Sequence, residues 1–370
     1  MYKGIYFIIS NLMKKKLTFL GIETSCDETA ASVVQENGDG TAKVLSNVVS
    51  SQIKEHKKFG GVVPEIAARA HVENIDFIVQ EALNKSRKKI KDLDGVAATA
   101  GPGLIVCLYV GYNIGKSIAT FGKKPFLPIN HLEGHALSPS IENKISFPYL
   151  LLLISGGHSQ FVIIKGLNKY RQIGTTIDDA VGEAFDKTAK MLDLGYPGGP
   201  SVEKFAKLGN KNSYNLPQPI INRAGCNLSF AGLKTDVLRK SKNIKSDQDK
   251  YNLAASFQET INKILLKKTE VAMKEFRKEI QDNSQRAFVI AGGVAANETI
   301  RKNLGEISKK MNFKNIFPSK EYCGDNAAMI AWAGIQRYKK NLFGKKNDIV
   351  KSRWPLDDKA PFLKGPGLKL

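Results

Sequence analysis

Residues 17–29 read LTFLGIETSCDET, an apolar run that ends on a carboxylate and then turns through small and polar residues. Leu17 to Glu23 has the length and near-continuous apolarity of a strand covered on both faces. Outward from it, Ala31–Gln35 and Val44–Val49 predict two more strands, separated by a turn at Asn37-Gly38-Asp39-Gly40. A helix follows over Pro64–Leu83, with Pro64 suited to a first helical turn. Gly95–Ala100 predicts a strand that breaks at Gly101-Pro102-Gly103, before a helix to Thr120 and a short strand over Phe126–Ile129.

The plan then begins again. Tyr149–Ile154 is continuously apolar, and Gln160–Lys165 and Tyr170–Gly174 complete a second three-strand opening. Helices are expected over Asp179–Leu192, from Ser201, and over Leu253–Ile280, then a strand over Arg286–Ile290 and helices over Asn297–Leu304 and Gly324–Tyr338. Strand-strand-strand-helix-strand-helix thus occurs twice, which predicts an α/β protein of two similar lobes with a cleft between them. The expected division is an N-terminal extension 1–16, an N-terminal lobe 17–147, a C-terminal lobe 148–340 and a poorly ordered basic tail 341–370.

The 370 residues are 42% hydrophobic and 25% charged, proportions of a globular chain and not of a disordered one. Lys and Arg number 56 against 35 Asp and Glu, a net charge of +21 that raises a polyanionic partner to equal standing with a merely lysine-rich surface. Cys26, Cys107, Cys226 and Cys323 are scattered, which excludes a disulfide scaffold and a cysteine-type zinc site and fits a reducing compartment. No apolar run approaches the roughly 18 residues of a membrane span. In the first segment the apolar run Ile5–Ile9 precedes Lys14, Lys15 and Lys16, the reverse of a signal peptide; Met13 is an alternative start, and a cytoplasmic protein is expected.

Three glycine-rich turns follow predicted strands: the stretch from Gly21 to Thr29, Ile154-Ser155-Gly156-Gly157-His158, and Ile290 to Asn297. Glycine lets backbone N–H groups approach phosphate oxygens, and a helix N-terminus adds positive charge. The P-loop pattern is absent, so any nucleotide sits in a different frame. Asp186 and Glu203 flank Tyr196-Pro197-Gly198-Gly199-Pro200 and are candidates to accept from ribose hydroxyls; for Asp186 the competing reading is a solvated helix carboxylate.

His131-Leu132-Glu133-Gly134-His135 places two of only five histidines at i and i+4, one face of a helix and a usual metal-ligand spacing. A metalloprotease needs Glu immediately after the first His, whereas Leu132 stands there and Glu133 is rotated about 100° away. Asp325 either supplies a third ligand or caps the helix that follows it. Two histidines and a carboxylate suit Fe(II) or Zn(II) with open coordination positions.

Taken in order, Gly21 to Thr29, Asn130 to His135, Ser155 to His158, Asp179 to Pro200, Asn227-Leu228-Ser229-Phe230-Ala231-Gly232-Leu233-Lys234 and Ala291 to Asn297 resemble the TsaD family of tRNA N6-adenosine threonylcarbamoyltransferases, over residues 17 to 356. The resemblance implies an actin-like/hexokinase-like ATPase fold with a central nucleotide cleft and the terminal helix 324–338 returning toward the metal site. It implies an acyltransferase that moves a threonylcarbamoyl group from threonylcarbamoyl-AMP to N6 of the adenosine just 3′ of the anticodon, in tRNAs reading codons that begin with adenine. His131, His135 and Asp325 would hold one divalent metal, Fe(II) ahead of Zn(II). Leu153, Ile154, Ser155, Gly156, Gly157, Asp186, Gly199, Glu203 and Asn297 would bind the adenylate. Asp27 and Glu28 are candidate proton acceptors or water-mediated metal contacts, with turn chemistry as the competing reading. The implied partners are tRNA, a TsaB-like paralogue and a TsaE-like ATPase, or a second copy in the organellar branch, and no membrane. Two other functions stay open on the residues alone: a metal-dependent peptidase, and a small-molecule kinase or ATPase of the same fold.

Overall fold

The computed structural model of the chain describes residues 16–281, 286–344 and 349–361. The expected extension therefore lies outside the described residues except for Lys16, as do residues 345–348 and 362–370 of the expected tail. The chain divides into two compact units, one of residues 1–51, 64–145 and 326–353, the other of 52–63, 146–325 and 354–370.

In chain order the first unit supplies β1 (Thr18–Glu23), β2 (Glu28–Glu36) and β3 (Ala42–Ser51). A segment of the second unit carrying α1 (Ile53–Lys57) intervenes. The first unit resumes with α2 (Pro64–Ser86), β4 (Gly95–Gly101), α3 (Ile105–Phe121), β5 (Phe126–Asn130) and α4 (His131–Leu137). The second unit follows with β6 (Tyr149–Ile154), β7 (Ser159–Gly166), β8 (Lys169–Thr175), α5 (Val181–Met191), α6 (Gly198–Ala206), α7 (Ala231–Ser241), α8 (Asp247–Glu279), β9 (Ala287–Ala291), α9 (Glu298–Lys310) and β10 (Lys314–Ile316). The last element, α10 (Ala327–Lys339), belongs to the first unit.

The two sheets have one order. The first runs β3-β2-β1-β4-β5 and the second, reversed, β8-β7-β6-β9-β10. In each, the opening strand pairs antiparallel with the next and parallel with the fourth: Leu20 stands between Val33 and Val96, and Leu152 between Phe161 and Ile290. The expected repetition of the strand plan is thus a repetition of topology.

Why β1 tolerates no polar interior follows from its two faces. Side chains alternate with a period of two. Leu20 and Ile22 join Val33, Val96, Ala98 and the α2 residues Ile75, Ile78 and Ala82 in one core. On the opposite face, a Cβ on Gly21 would lie 2.2 Å from the Ala327 carbonyl oxygen, and one on Gly334 would lie 2.7 Å from the Ala97 side chain. Helix α10 therefore rests almost directly on β1, and glycine at 21 is what lets it. In the second unit Leu150, Leu152 and Ile154 enter a larger core with Phe161, Phe185, Phe257 and Phe288.

Several boundaries differ from expectation for identifiable reasons. Helix α8 starts at Asp247, six residues before the expected Leu253, because Ser246 and Asp249 form a reciprocal capping box. Helix α7 was not expected; it is short and carries only Leu233 and Val237 into the core. The stretch 349–361 is not a loose tail as expected: Val350 and Leu356 are buried, and the Lys351 N–H donates to Ala100 O at 2.7 Å. The Asp357 carboxylate in turn accepts from the Gln172 N–H at 2.8 Å.

Candidate functional site

The histidine pair sits on α4, a helix whose seven residues are all buried. Asn130 caps it, its side chain accepting from the N–H groups of Leu132 (2.9 Å) and Glu133 (3.4 Å). One turn apart, the His131 and His135 rings meet edge to face with centroids 4.7 Å apart. One ligand atom each from His131, His135 and Asp325 lie within 4.8 Å of one another. Asp325 is bonded directly to Asn326, so its place follows from the start of α10. The capping role open to Asp325 in the sequence belongs to Asn326, whose side chain accepts from the Met329 N–H at 3.0 Å. Two imidazoles and one carboxylate at this spacing are a donor set that fits a divalent metal with open positions.

Glu133 is committed elsewhere. It is buried and ion-paired with Arg337 of α10 at 2.9 Å. A carboxylate held by a guanidinium is poorly placed to serve a peptidase as general base, so the displaced residue of the sequence is displaced in the fold as well.

The residue that sequence reasoning passed over is Glu23. It ends β1 fully buried, and its Oε2 lies 3.0 Å from His131 Nδ1. The only signal was a carboxylate closing an apolar strand. Ser25 adds its hydroxyl 3.2 Å from the same nitrogen. Asp27 and Glu28 follow in the same turn, both half-buried. That turn is pinned by the buried His71 of α2, whose ring nitrogens lie 2.7 Å from the Thr29 hydroxyl and 3.0 Å from the Cys26 carbonyl.

The expected adenylate residues gather in the second unit. Leu153 and Ile154 are buried at the end of β6, while Gly156 and Gly157 are exposed and a Cβ on either would meet nothing within 4 Å. Ser155 closes this turn on itself: its N–H donates to His158 O at 2.8 Å and its hydroxyl accepts from the His158 N–H at 3.1 Å. Two neighbours back the turn. A Cβ on Gly182, at the start of α5, would lie 2.6 Å from Ser155 O. Gly292, after β9, has φ +94° and would bring a Cβ to 2.4 Å from Ile154 O.

The polar members have fold partners of their own. Asp186 accepts from the Gly198 N–H at 2.8 Å, tying α5 to the start of α6. Glu203 of α6 accepts from the Glu298 N–H at 2.7 Å. Asn297 caps α9 through the Ile300 N–H (3.0 Å) and donates to Gln258 at 3.0 Å, so both ends of its amide are engaged. Gly199 faces open space. What this side of the molecule offers a ligand is chiefly open glycine backbone, with the carboxylates of Asp186 and Glu203 engaged in bracing it. The Asn227–Lys234 motif also braces: Asp178 accepts from the Ser229 hydroxyl and from the Phe230 N–H (2.8 Å), and Asp179 pairs with Lys234 at 2.5 Å, fixing the turn before α5.

All four cysteines are free thiols. Burial, with the Asp27 and Glu65 charges adding, pushes the Cys107 thiol up to about 11. Burial, with the Glu275 charge adding, does the same to Cys226. Neither is an activated nucleophile. Among the described residues no helix is long and apolar enough to cross a membrane.

Comparison with known proteins places this geometry. In sequence, the chain is 57% identical over 358 residues to the tRNA N6-adenosine threonylcarbamoyltransferase of Pelagibacter ubique (strain HTCC1062), covering 97% of this chain and 100% of that one. It is 49% identical over 354 residues to the protein of the same name from Rhizobium meliloti (strain 1021), covering 95% and 98%. In structure, it resembles HypF of T. kodakarensis with a TM-score of 0.58 at 14% identity, over 88% of this chain and 48% of that one. A full-length HypF in a phosphate- and nucleotide-bound form aligns with a TM-score of 0.55 at 14% identity, over 90% of this chain and 47% of that one. The chain thus spans about half the length of these structural relatives, and the likeness is one of fold: with the duplicated strand order, the fold is the actin-like/hexokinase-like α/β fold. The sequence profile described as TsaD, tRNA N6-adenosine threonylcarbamoyltransferase, matches residues 43–332, and with relatives this close over nearly the whole chain, the protein belongs to the TsaD family.

Proposed function

We propose that this chain is an acyltransferase that moves the threonylcarbamoyl group of L-threonylcarbamoyl-AMP to N6 of the adenosine just 3′ of the anticodon, in tRNAs reading codons that begin with adenine. The products are N6-threonylcarbamoyladenosine and AMP. Beside family membership, one observation carries the reading: the ligand atoms of His131, His135 and Asp325 converge within 4.8 Å, while the position where a peptidase needs its glutamate is Leu132 and the adjacent Glu133 is bound to Arg337.

The donor is a mixed carbamic–phosphoric anhydride. The adenosine amine attacks the carbamoyl carbon, the bond from that carbon to the phosphate oxygen breaks, and AMP leaves with the electron pair. A good leaving group makes a covalent enzyme intermediate unnecessary, consistent with two cysteine thiols raised to about 11 and no assigned nucleophile. Ser155, Gly156 and Gly157 would seat the adenylate phosphate against backbone N–H groups, with Leu153 and Ile154 closing the base of the turn. Gly199 would add open backbone, Asp186 and Glu203 would accept from the ribose hydroxyls, and Asn297 would hold the start of α9 in place for the nucleotide. Such fixing makes attack effectively unimolecular. Asp27 and Glu28 are the candidate acceptors of the amine proton. A divalent metal on His131, His135 and Asp325 would anchor the threonyl part and polarise the carbamoyl carbonyl.

Fe(II) is read ahead of Zn(II) because two histidines and one carboxylate are a preferred set for open iron sites. The partners are tRNA, drawn in part by the +21 net charge, with a TsaB-like paralogue and a TsaE-like ATPase, or a second copy of this chain in the organellar manner. Four free cysteines and a tRNA substrate favour the cytoplasm. The test is a reconstituted assay read by nucleoside mass spectrometry. His131→Ala with His135→Ala is expected to abolish N6-threonylcarbamoyladenosine and bound metal together; undiminished product would sink the metal's part in the reading.

A further inference from the structure

We infer that Glu23 is a positioning residue for the metal centre: its carboxylate fixes His131 as the Nδ1–H tautomer and so presents Nε2 as the ligand atom. The inference rests on reading His131, His135 and Asp325 as metal ligands, and it extends to a residue outside that set.

The geometry makes the carboxylate the fixed partner and the ring the oriented one. Glu23 is the last residue of β1, the central strand of its sheet, and is fully buried. An ionised carboxylate there is tolerable only if its lone pairs are met. They are met from rigid parts of the unit: Oε1 accepts from the Ser25 N–H at 2.5 Å, and Oε2 accepts from the hydroxyl of Thr99, on the neighbouring strand β4, at 2.5 Å. Both bonds lie within the sheet and its first turn and do not depend on α4. The same Oε2 then stands 3.0 Å from His131 Nδ1. As the carboxylate accepts in its other two bonds, we take it to accept here too: Nδ1 donates to it, with the Ser25 hydroxyl 3.2 Å from the same nitrogen, and in a neutral imidazole the acceptor lone pair is then on Nε2. A carboxylate behind a metal-bound imidazole fixes the ring and raises its basicity, and losing such a partner typically lowers metal affinity about 10- to 100-fold.

A purely structural ion pair would give α4 stability without selecting a tautomer that matters to a metal, and the test separates the two. In histidine-labelled, metal-free full-length protein at neutral pH, nitrogen NMR is expected to find His131 protonated on Nδ1 and bare on Nε2; the opposite tautomer overturns the inference without any variant. Glu23→Gln, nearly the same shape, is expected to weaken Co(II) binding about 10- to 100-fold in competition with a fluorescent chelator and to alter the Co(II) absorption bands, with the circular dichroism of the wild type retained. Unchanged Co(II) affinity and spectrum overturn it, as does a wild-type protein that takes up no Co(II). If the Gln variant does not fold, the tautomer of the wild type decides alone. Both readouts are independent of tRNA chemistry: a wild type that passes them yet makes no modified nucleoside refutes the transferase reading and leaves Glu23 in its role.

Discussion

The ends of β1 and β6 occupy the same place in two copies of one topology and are put to opposite uses. At the end of β1 the chain buries a carboxylate, Glu23, and sets the His131 imidazole against it. At the end of β6 it strips side chains away, so that Gly156 and Gly157 face open space. The first unit works through buried charge that must be partnered; the second works through bare backbone held in shape by tight packing behind it. One fold position can thus end in a partnered buried charge or in bare backbone, depending on which terminal residues follow an otherwise similar apolar strand.

The comparison can be broken most forcefully at Arg337. If the first unit depends on partnered buried charge, Arg337→Met should take the guanidinium from Glu133, which is 1% exposed, and destabilise the protein by about 3–5 kcal/mol in chemical denaturation. A loss within about 0.5 kcal/mol, the usual effect of a surface change, would show that the pair is incidental. The second unit should fail differently. Gly292→Ala forces a Cβ against Ile154 O at a positive φ and is expected to cost about 1–3 kcal/mol, seen as a lowered Tm. Gly156→Val should leave Tm nearly unchanged and raise KM for the adenylate, because its side chain enters space and not packing. Equal Tm losses at 156 and 292 would erase the distinction between open and backing glycines.

A smaller effect falls on both units alike. Cys107 and Cys226, one in each, are raised from about 9 to about 11 chiefly by burial. Above pH 9 the unfolded thiols ionise while the folded ones keep their protons. The folded state then binds more protons, and stability falls as pH rises from about 9 to about 11. Replacing both with Ala should flatten that alkaline limb of denaturant midpoint against pH; an unaltered slope would place the loss on other groups.

How much of this was legible before folding depended on whether a residue's role is local. The strand Tyr149–Ile154 was readable to the residue because a six-residue run of one tyrosine and five aliphatics is short for a helix and suits a strand covered on both faces. The i, i+4 histidines and the glycine turns are local patterns too; Asp325, which its own neighbourhood left between ligand and cap, is brought to His131 and His135 only by the fold. Glu23 was silent because its meaning lies in Thr99 and His131, remote in sequence. Asn297 was expected only as a ligand contact, and its second role, the cap on α9, shows in its bonds to Ile300 and Gln258. Helix α7 was missed because Ala231–Ser241 mixes a glycine, three cationic residues and two buried aliphatics, too weak a stripe to stand out.

The return of α10 to the first unit bears on how the protein is made. Synthesis delivers β1 to β5 and α2 to α4 long before residues 327–339, which cover the opposite face of β1 and pack at Gly21 and Ala97. A ribosome elongating at roughly 5–20 residues per second leaves that apolar face waiting about ten seconds or more for its lid. A fragment that stops at residue 145 would lack the helix its sheet was shaped to receive. The N-terminal half is written first and finished last.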